Sequence, residues 1–575
     1  MEKRNDSDYP RTVLSRPHSP SGESPGITVA VAVAIIIALA APLFFLGLGD
    51  RALSDPDEPY YAVPALEMLH TGSWQVPVFR GQPWFDKPIL FYWMVLAAYK
   101  CFGVSEGAAR LGSALAGLCG LLAVFQLGRR LGFTTRGALA ASLMLATSLG
   151  YALAARAAIT DMTLTLMVTA GMLATAGYLS HGGLGACLLA GAAFGLATLT
   201  KGPVGLLIPG VALCAYAVAV RRKELIRPAA LAAGAVGCLL TAAPWYVYMA
   251  LAHRGLLLDT FIGQGNLGRF LQPEHTTFHL YYLVVLAVGL LPWSGALPAA
   301  LVRASMTITI AGAARAAERD RQRHLPPGPD QLLLVCWFGA VLLIFSIAAS
   351  KLPTYVLPAF PPAALMIAAF WDRELAPGRH GPPARSAGAA NGIGLIICLL
   401  SAAGVVYVTR THGWDLVTSI GGAACAALLA GSILAAIATR SGSMKWFLIV
   451  QCGASAVAMI LLLGVAMPRL EPYDSTRPLV RDLESRGLSG EVIATYKVAD
   501  VSLDYYLGRS LSSAKRMKEV RDLVAQQPGR IWVVRTEDLD AIHSDTGVIS
   551  EDVHRGPHRS AVRLSLATTA VPGAP

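Results

Sequence analysis

The chain has 575 residues, of which 54% are hydrophobic and only 14% charged, and its mean hydropathy is +0.52. A soluble protein carries about 25% charged residues, so this composition excludes a soluble globular protein and is typical of a polytopic α-helical membrane protein. The net charge of +11 comes mainly from Lys and Arg in short loops between apolar runs. Such residues set orientation and attract anionic lipid, so nucleic acid is not a predicted partner. The nine cysteines show neither disulfide nor metal-binding spacing.

Thirteen apolar runs follow a polar N-terminal segment. Residues 1–26 are rich in Ser, Pro and charge and are predicted to form a disordered cytoplasmic tail. No A-x-A-like site follows the run 27–49, so we predict a retained first span instead of a signal peptide. Twelve later runs are each long enough to cross a bilayer; they lie at about 108–128, 137–156, 160–179, 184–200, 203–220, 228–250, 279–302, 331–349, 353–371, 390–409, 415–438 and 446–467. The predicted fold class is an all-α polytopic membrane protein of about 13 transmembrane helices.

A polar segment, 50–107, separates the first two spans, and within it 87–104 is either a short span or an interfacial helix. The loop charges favour the interfacial helix. With 87–104 at the interface and the N-terminus inside, most Lys and Arg of the short loops lie inside, as the positive-inside rule requires. Counting 87–104 as a span reverses every later loop. On the interfacial assignment one outer face contains the loop 50–88, Asp161, Lys201, the loop 251–278 and the segment 350–355.

The composition changes after the last span. Residues 490–497 and 530–537 are predicted to be buried strands, and 515–527 a helix between them. This pattern is typical of a small α/β domain. An odd number of spans after an inner N-terminus places this domain on the outer side. We therefore predict three parts, which are the tail 1–26, a transmembrane domain 27–467 and an outer α/β domain 468–575.

Acidic side chains stand at two places on the outer face. The sequence DPDE at 55–58 follows the first span, and Asp55 or Glu58 beside a low-dielectric surface is a candidate general base with a raised pKa. The alternative is an acidic N-cap for the helix beginning YYAVPALEML. Asp161 begins a later span in an otherwise acid-poor stretch. It is either a functional acid at the membrane boundary or the cap of that helix.

Outer basic residues are few, and most flank Pro or Gly at the ends of spans. They are Lys87, Lys201, Arg254, Arg269 and Lys351. Each is either an anchor at the headgroups or a ligand for an anionic group, with the hydroxyl of Tyr355 as a further donor to a phosphate. Three histidines near the loop 251–278 lack the spacing of a strong metal site, so no metal centre is predicted; they are His253, His275 and His279.

Five segments resemble the GT-C superfamily of polyprenyl-phosphate-sugar glycosyltransferases. They are DPDEPYYA, FDKPILFYWMVLAAYKCFGVSEGAARLGSALAG, ARAAITDMTLTL, LTKGPVGLL and SKLPTYVLPAFPPAALM. Within the superfamily the chain looks most like the aminoarabinose transferases of the bacterial inner membrane, which are relatives of the protein O-mannosyltransferases. The resemblance covers roughly residues 27–370 at the level of motifs, and the plan of thirteen spans plus a periplasmic domain covers the remainder.

The resemblance implies a monomeric inverting transferase that moves 4-amino-4-deoxy-L-arabinose from undecaprenyl phosphate to lipid A phosphates at the periplasmic face. It implies a lipid-linked sugar donor, a lipid A acceptor and surrounding membrane lipids as partners, and no required cofactor. Three residues are implied to be catalytic: Asp55, Glu58 and Asp161. Four are implied to bind the donor lipid phosphate: Lys87, Arg269, Lys351 and Tyr355. Which of Asp55, Asp57 and Glu58 reaches the cavity stays open.

Three other functions are compatible with parts of the sequence. Transfer of a polyprenyl-linked sugar to protein or another glycan uses the same motifs and remains the alternative enzyme. A secondary transporter also suits thirteen spans, but transporters keep ionisable residues near the middle of the bilayer, and here the charges gather at one face. An assembly scaffold leaves the charge cluster unexplained. For the enzyme we expect Asp55→Asn to abolish transfer and Lys87→Ala to weaken donor binding.

Overall fold

The protein is described by a computed structural model, which covers 27–220, 223–253, 255, 268, 280–305, 329–375, 385–411, 415–440, 443–471, 475–498, 501–545 and 548–566. Within this described part, eight helices are long and apolar enough to cross a membrane. A bent helix pair at 135–155 makes a ninth if it counts as one span. The expectation of a mainly helical polytopic membrane protein is therefore confirmed.

The helices of the membrane part follow the predicted apolar runs. Helices α1–α10 are Val29–Phe45, Pro59–Thr71, Leu90–Phe102, Glu106–Arg130, Thr135–Ala146, Leu149–Ala155, Thr160–His181, Leu184–Lys201, Val204–Val220 and Pro228–Ala252. Helices α11–α17 are Tyr281–Gly289, Pro329–Ile347, Phe360–Glu374, Arg385–Thr411, Asp415–Arg440, Met444–Met459 and Met467–Arg469. A π-helical stretch spans Ile460–Ala466, and the 3₁₀ segments are Lys223–Ile226, Ser294–Ala296 and Pro353–Ala359.

Small residues let the spans pack closely, as is typical of helices in lipid. The tightest pair is α8 with α10, where an added Cβ on Gly191 would lie 1.8 Å from the carbonyl oxygen of Gly234. On the other helix, a Cβ on Gly237 would lie 2.0 Å from the oxygen of Leu188. Any larger side chain at either glycine would push the two helices apart. This packing fixes α8 closely against α10.

The segment between the first two spans contains two short helices and a hairpin. Helices α2 and α3 have 13 residues each, so each is about 20 Å long against a hydrocarbon core of about 30 Å. A two-stranded antiparallel hairpin, β1 Val78–Phe79 and β2 Gln82–Pro83, joins them. The short length of α3 agrees with the prediction that 87–104 is not a full span.

The C-terminal sheet region, residues 475–566 as far as they are described, contains a five-stranded mixed sheet. Its strands β3–β7 are Val492–Tyr496, Ser512–Ala514, Arg530–Arg535, Val548–Arg555 and Arg559–Leu566, in the order β4-β3-β5-β7-β6. Strand β3 is parallel to β4 and β5, whereas β7 is antiparallel to β5 and β6. Its helices α18–α21 are Arg477–Ser485, Val501–Leu507, Met517–Gln526 and Leu539–His543, and its 3₁₀ turns are Ser489–Glu491 and Thr536–Asp538. The two predicted strands and the predicted helix are present as β3, β5 and α20.

Candidate active site

The three acids of the DPDE sequence point in three different directions. Asp55 faces the C-terminal sheet region, where its Oδ1 accepts a hydrogen bond from the amide of Ser502 at 3.0 Å. Its Oδ2 contacts the hydroxyl of Ser502 and lies 3.7 Å from Nη2 of Arg559. Only 5% of the Asp55 side chain is exposed. Asp55 therefore joins the segment between the first two predicted spans, residues 50–107 (the first outer segment), to the C-terminal sheet region.

Glu58 is buried in an ion pair with Arg110, in the first turns of α4. Its Oε1 accepts from Nε of Arg110 at 2.7 Å and from the amide of Ala158 at 2.8 Å. Its Oε2 accepts from Nη2 of Arg110 at 2.6 Å and from the amide of Ser54 at 2.9 Å. Burial alone would raise the pKa of Glu58, but the Arg110 charge and these hydrogen bonds hold the pKa below its ordinary value. Glu58 is thus an ionised carboxylate with a full set of donors.

Arg110 also organises the backbone before the acids. Its Nη1 donates to the carbonyl oxygens of Leu48 at 3.0 Å and Arg51 at 2.7 Å, and its Nη2 donates to that of Ala52 at 2.6 Å. One buried guanidinium therefore fixes both the chain leaving α1 and the carboxylate that precedes α2. The sequence signal for this role was a cation in the first turn of a predicted span, which needs an anionic partner.

Asp57 is the exposed acid of the DPDE sequence at the large cavity. It lines a cavity of about 960 Å³. The cavity wall is mainly apolar and is formed by α1, α6, α11, the 3₁₀ segment Pro353–Ala359 and the π-helical stretch. The charged and polar lining residues are Asp50, Arg51, Ser54, Asp57, Glu58, Arg110, Arg156 and Thr354. A mainly apolar cavity that also carries a polar cluster suits an amphiphile.

A second charged cluster joins Asp161, Lys201 and Tyr355. Asp161 lies in the first turn of α7, and Lys201 is the last residue of α8, which ends there because Gly202 adopts a positive φ of 76°. The hairpin of α7 and α8 therefore brings the two charges together, with Nζ of Lys201 2.5 Å from Oδ1 of Asp161. Nζ also lies 4.2 Å from the centre of the Tyr355 ring. Both charged groups are buried, so the ammonium is held by a carboxylate and an aromatic face.

Lys87 lies at the start of the segment that leads into α3. Its Nζ is 2.9 Å from Oδ2 of Asp86 and 3.1 Å from the carbonyl oxygen of Asp86. The side chain is partly buried, with 12% of its surface exposed. Lys87 is therefore a cation kept close to a neighbouring carboxylate at the edge of the site.

Tyr61 marks the point on which the acidic segments converge. Its hydroxyl lies 3.5 Å from Oγ1 of Thr160, which precedes Asp161. Burial raises the pKa of Tyr61 well above its ordinary value, and the negative charges of Asp86, Asp161 and Asp57 raise it further. The DPDE, DKP and ITD sequences therefore all contribute groups to the surroundings of Tyr61. The sequence alone gave Tyr61 no role.

The structure describes some of the remaining predicted site residues and not others. Nζ of Lys351 donates to the carbonyl oxygen of Ala348 at 2.7 Å, near the end of α12. Arg269 lies outside the described residues, as do His275 and His279. The ring of His253 lies 5.7 Å from that of Phe85. Among the residues described, no three His, Cys, Asp or Glu side chains are grouped as metal ligands.

The chain is similar to known proteins in sequence and in fold. Residues 86–248 match the family described as dolichyl-phosphate-mannose-protein mannosyltransferase. The crystal structure of ArnT from Cupriavidus metallidurans bound to undecaprenyl phosphate superposes with a TM-score of 0.76, at 23% identity over 95% of this chain and 100% of that one. The apo structure of the same ArnT gives a TM-score of 0.74. At this identity the likeness shows the fold alone.

Sequence relatives define the family more closely. The undecaprenyl phosphate-α-4-amino-4-deoxy-L-arabinose arabinosyl transferase of Edwardsiella ictaluri is 32% identical over 451 residues, 76% of each chain. The enzyme of the same description from Aeromonas hydrophila is 33% identical over 446 residues, 75% of this chain and 77% of that one. The chain therefore belongs to the family of these arabinosyl transferases and is a glycosyltransferase, as its motifs indicated.

Proposed function

We propose that this protein transfers 4-amino-4-deoxy-L-arabinose from undecaprenyl phosphate to a phosphate of lipid A, at the periplasmic face of the bacterial inner membrane. Membership of the arabinosyl transferase family supports the sugar and the donor. The structural observation that carries the proposal is that Asp57, Asp86 and Asp161 lie around Tyr61, with Lys87 paired to Asp86 and Asp57 lining a mainly apolar cavity. A lipid-linked donor and a lipid acceptor both need apolar surface beside a polar reaction centre.

The topology that we propose has thirteen spans, with the N-terminus in the cytoplasm. The nine spans counted above are joined by four more: α1, α9, the apolar part Gln331–Ile347 of α12 and the segment 281–305, each too short or too interrupted to count by length alone. Helix α3 lies at the periplasmic interface. The transmembrane domain then covers 27–467, and the α/β domain 468–575 lies in the periplasm. The contacts between Asp55 and the C-terminal sheet region support this placement, because both must lie on the same side.

The donor phosphate is held by Lys87, Tyr355 and Lys351, with Arg269 as a further ligand. These groups stabilise the negative charge that develops on the phosphate as the bond between C1 of the sugar and the phosphate oxygen breaks. An oxygen of the lipid A phosphate attacks C1 from the opposite side, so the configuration at C1 is inverted. The leaving undecaprenyl phosphate keeps the electron pair of the broken bond, and no cofactor is required.

The acids have separate roles in this proposal. A lipid A phosphate is already anionic at neutral pH, so the reaction does not need a base to deprotonate it. Asp57, exposed at the cavity, takes the substrate-facing role that the motif alone suggested for Asp55, and it pairs with the ammonium of the donor sugar. Asp161 fixes Lys201 beside the ring of Tyr355. Asp55 and Glu58 act through the position of the loop that carries Asp57.

Mass spectrometry of lipid A tests the proposal. Cells that lack an aminoarabinose transferase are complemented with this chain, with its Asp57→Asn variant, or with Arg521→Ala as a matched control. Arg521 forms an exposed ion pair with Asp545 in the C-terminal sheet region. We expect the mass of one added aminopentose with the wild type and the control, and none with Asp57→Asn at equal protein level. Unmodified lipid A with the wild type would refute the proposal.

Transfer to protein is the second candidate, because residues 86–248 match the mannosyltransferase family. The same cells decide between the two acceptors. Glycosylated envelope protein together with unmodified lipid A would favour the second candidate, and sugar attached to lipid A alone would exclude it.

A further inference from the structure

Helix α19, Val501–Leu507, contacts the first outer segment through successive polar side chains. Ser502 binds the carboxylate of Asp55 through both its amide and its hydroxyl. Two residues later, Oδ2 of Asp504 accepts from Nε of Arg80 at 2.7 Å, and only 2% of the Asp504 side chain is exposed. Arg80 stands at the tip of the β1–β2 hairpin. One short helix therefore binds two separate parts of the segment.

Tyr506 adds a third contact from the same helix. Its hydroxyl oxygen accepts from the amide of Leu53 at 2.8 Å, and the hydroxyl donates to Oε1 of Glu106 at 3.3 Å. Arg477, from α18, reinforces this side by donating to the carbonyl oxygen of Asp50 at 2.8 Å and pairing with Glu106 at 2.8 Å. All of these partners in the first outer segment belong to the stretch 50–106.

The residues that α19 contacts lie close in sequence to the proposed site residues. Leu53 and Asp55 immediately precede Asp57, and Arg80 precedes Asp86 and Lys87 by only a few residues. Arg110 holds other groups of the same loop, namely the backbone of 48–52 and the carboxylate of Glu58. The backbone around Asp57 is therefore held by contacts from both α4 and α19.

We propose that α19 is a positioning element, through which the C-terminal sheet region sets the places of Asp57 and Lys87 for transfer. Its positioning residues are Ser502, Asp504 and Tyr506, none of which meets substrate. This inference rests on the proposed roles of Asp57 and Lys87 and gives the C-terminal sheet region a function in the reaction. A displacement of about 1 Å at a reacting group lowers rates by roughly a hundredfold, so contacts of this kind affect turnover at a distance.

The test uses the full-length chain with the substitutions Ser502→Ala, Asp504→Asn and Tyr506→Phe, singly and together. Hydrogen–deuterium exchange is measured on peptides from 48–58 and 78–83, and transfer is measured at saturating donor and lipid A. We expect faster exchange in both peptides and a fall in transfer of roughly ten- to a hundredfold for the triple variant. Arg521→Ala, in the same region but away from α19, should change neither. Tyr506→Phe keeps its ring packing and provides a test if the triple variant does not fold.

Repeating the α19 substitutions in a second variant distinguishes a positioning role of α19 from a simple loss of folded protein. The α19 substitutions are repeated in a chain carrying Asp57→Glu, which retains a carboxylate in a displaced position. If α19 acts through Asp57, the substitutions lower transfer much less in this background than in the wild type. A loss of folded protein would lower transfer by the same factor in both backgrounds, and that result would overturn the proposal.

Two further outcomes also decide the question. Unchanged exchange in 48–58 and 78–83 would overturn the proposal, as would faster exchange with wild-type transfer. A wild-type chain that transfers no aminoarabinose to lipid A would refute the proposed function instead. The exchange measurements would then still decide whether α19 holds this segment.

Discussion

Replacement of Glu58 by glutamine should destabilise the fold without removing a catalytic group. Glu58 and Arg110 are each 3% exposed, and the carboxylate accepts four hydrogen bonds, two on each oxygen. A glutamine amide has one oxygen, so two of the four donors would face an NH₂ group, and the buried guanidinium would lose its counter-charge. Loss of one partner from a buried ion pair costs about 3–5 kcal/mol. We expect a loss of this size, with a midpoint of thermal unfolding that is lower by several degrees.

Tryptophan fluorescence of the purified protein in detergent measures the midpoint, and transfer is measured per folded molecule below it. Glu484→Gln is the matched control, because Glu484 is exposed on α18. We expect the control to unfold with the wild type and Glu58→Gln to retain a substantial part of its transfer at low temperature. An unchanged midpoint together with abolished transfer would contradict the structural role of Glu58 and return it to the catalytic residues.

Three further predictions concern the same site. Asp57→Asn should lower turnover by about a hundredfold or more without changing the unfolding midpoint, whereas Asp55→Asn should retain measurable transfer; the reverse order would refute the assignment of Asp57. Lys87→Ala should raise the KM for the donor and also lower kcat, because Lys87 holds the donor phosphate and stabilises the charge that develops on it; initial rates at varied donor concentration will show both effects. The pKa of Glu58 is lowered from an ordinary value of 4.5, so its stabilising contribution is complete above about pH 4.5 and is lost as the pH falls through the lowered pKa. The difference in unfolding midpoint between wild type and Glu58→Gln should therefore narrow at acidic pH.

The helices of the membrane part were predictable because long apolar runs in the sequence identify them. Each apolar run long enough to span corresponds to a helix or helical segment, since backbone polar groups in lipid must be satisfied within the chain. The charge distribution of the loops also favours an interfacial helix over a span at 87–104, and the 13-residue length of α3 agrees with that prediction. In the C-terminal sheet region, β5 was predictable because its centre is a continuous buried run. Strands β4 and β6 were not, because β4 has three residues and β6 is largely exposed.

The segments that form the candidate site were predictable from the sequence, but the directions in which their side chains point were not. The acids of DPDE were recognised, yet their sequence neighbours do not determine where they point. The direction of Glu58 depends on Arg110, 52 residues away, and that of Asp55 on Ser502, 447 residues away. The pairing of Asp161 with Lys201 depends on where α7 begins and α8 ends. Tertiary contacts of this kind leave no local pattern in a single sequence.

The balance of charge in the site explains why an aminosugar donor suits it. Charged side chains at a membrane boundary are costly unless they are paired, and here two lysines stand beside carboxylates: Lys87 with Asp86, and Lys201 with Asp161. A donor that carries both an anionic phosphate and a cationic amine can approach Lys87 and Asp57 together and leave the total charge nearly unchanged.

A donor analogue with a neutral hydroxyl in place of the amine would bring only the negative charge. We therefore expect its kcat/KM to be lower by roughly tenfold or more with the wild type, from the loss of one partly buried ion pair. The penalty should nearly disappear in Asp57→Asn, whose residual transfer should discriminate little between the two donors. An equal preference for the amine in wild type and Asp57→Asn would show that another group recognises the sugar nitrogen.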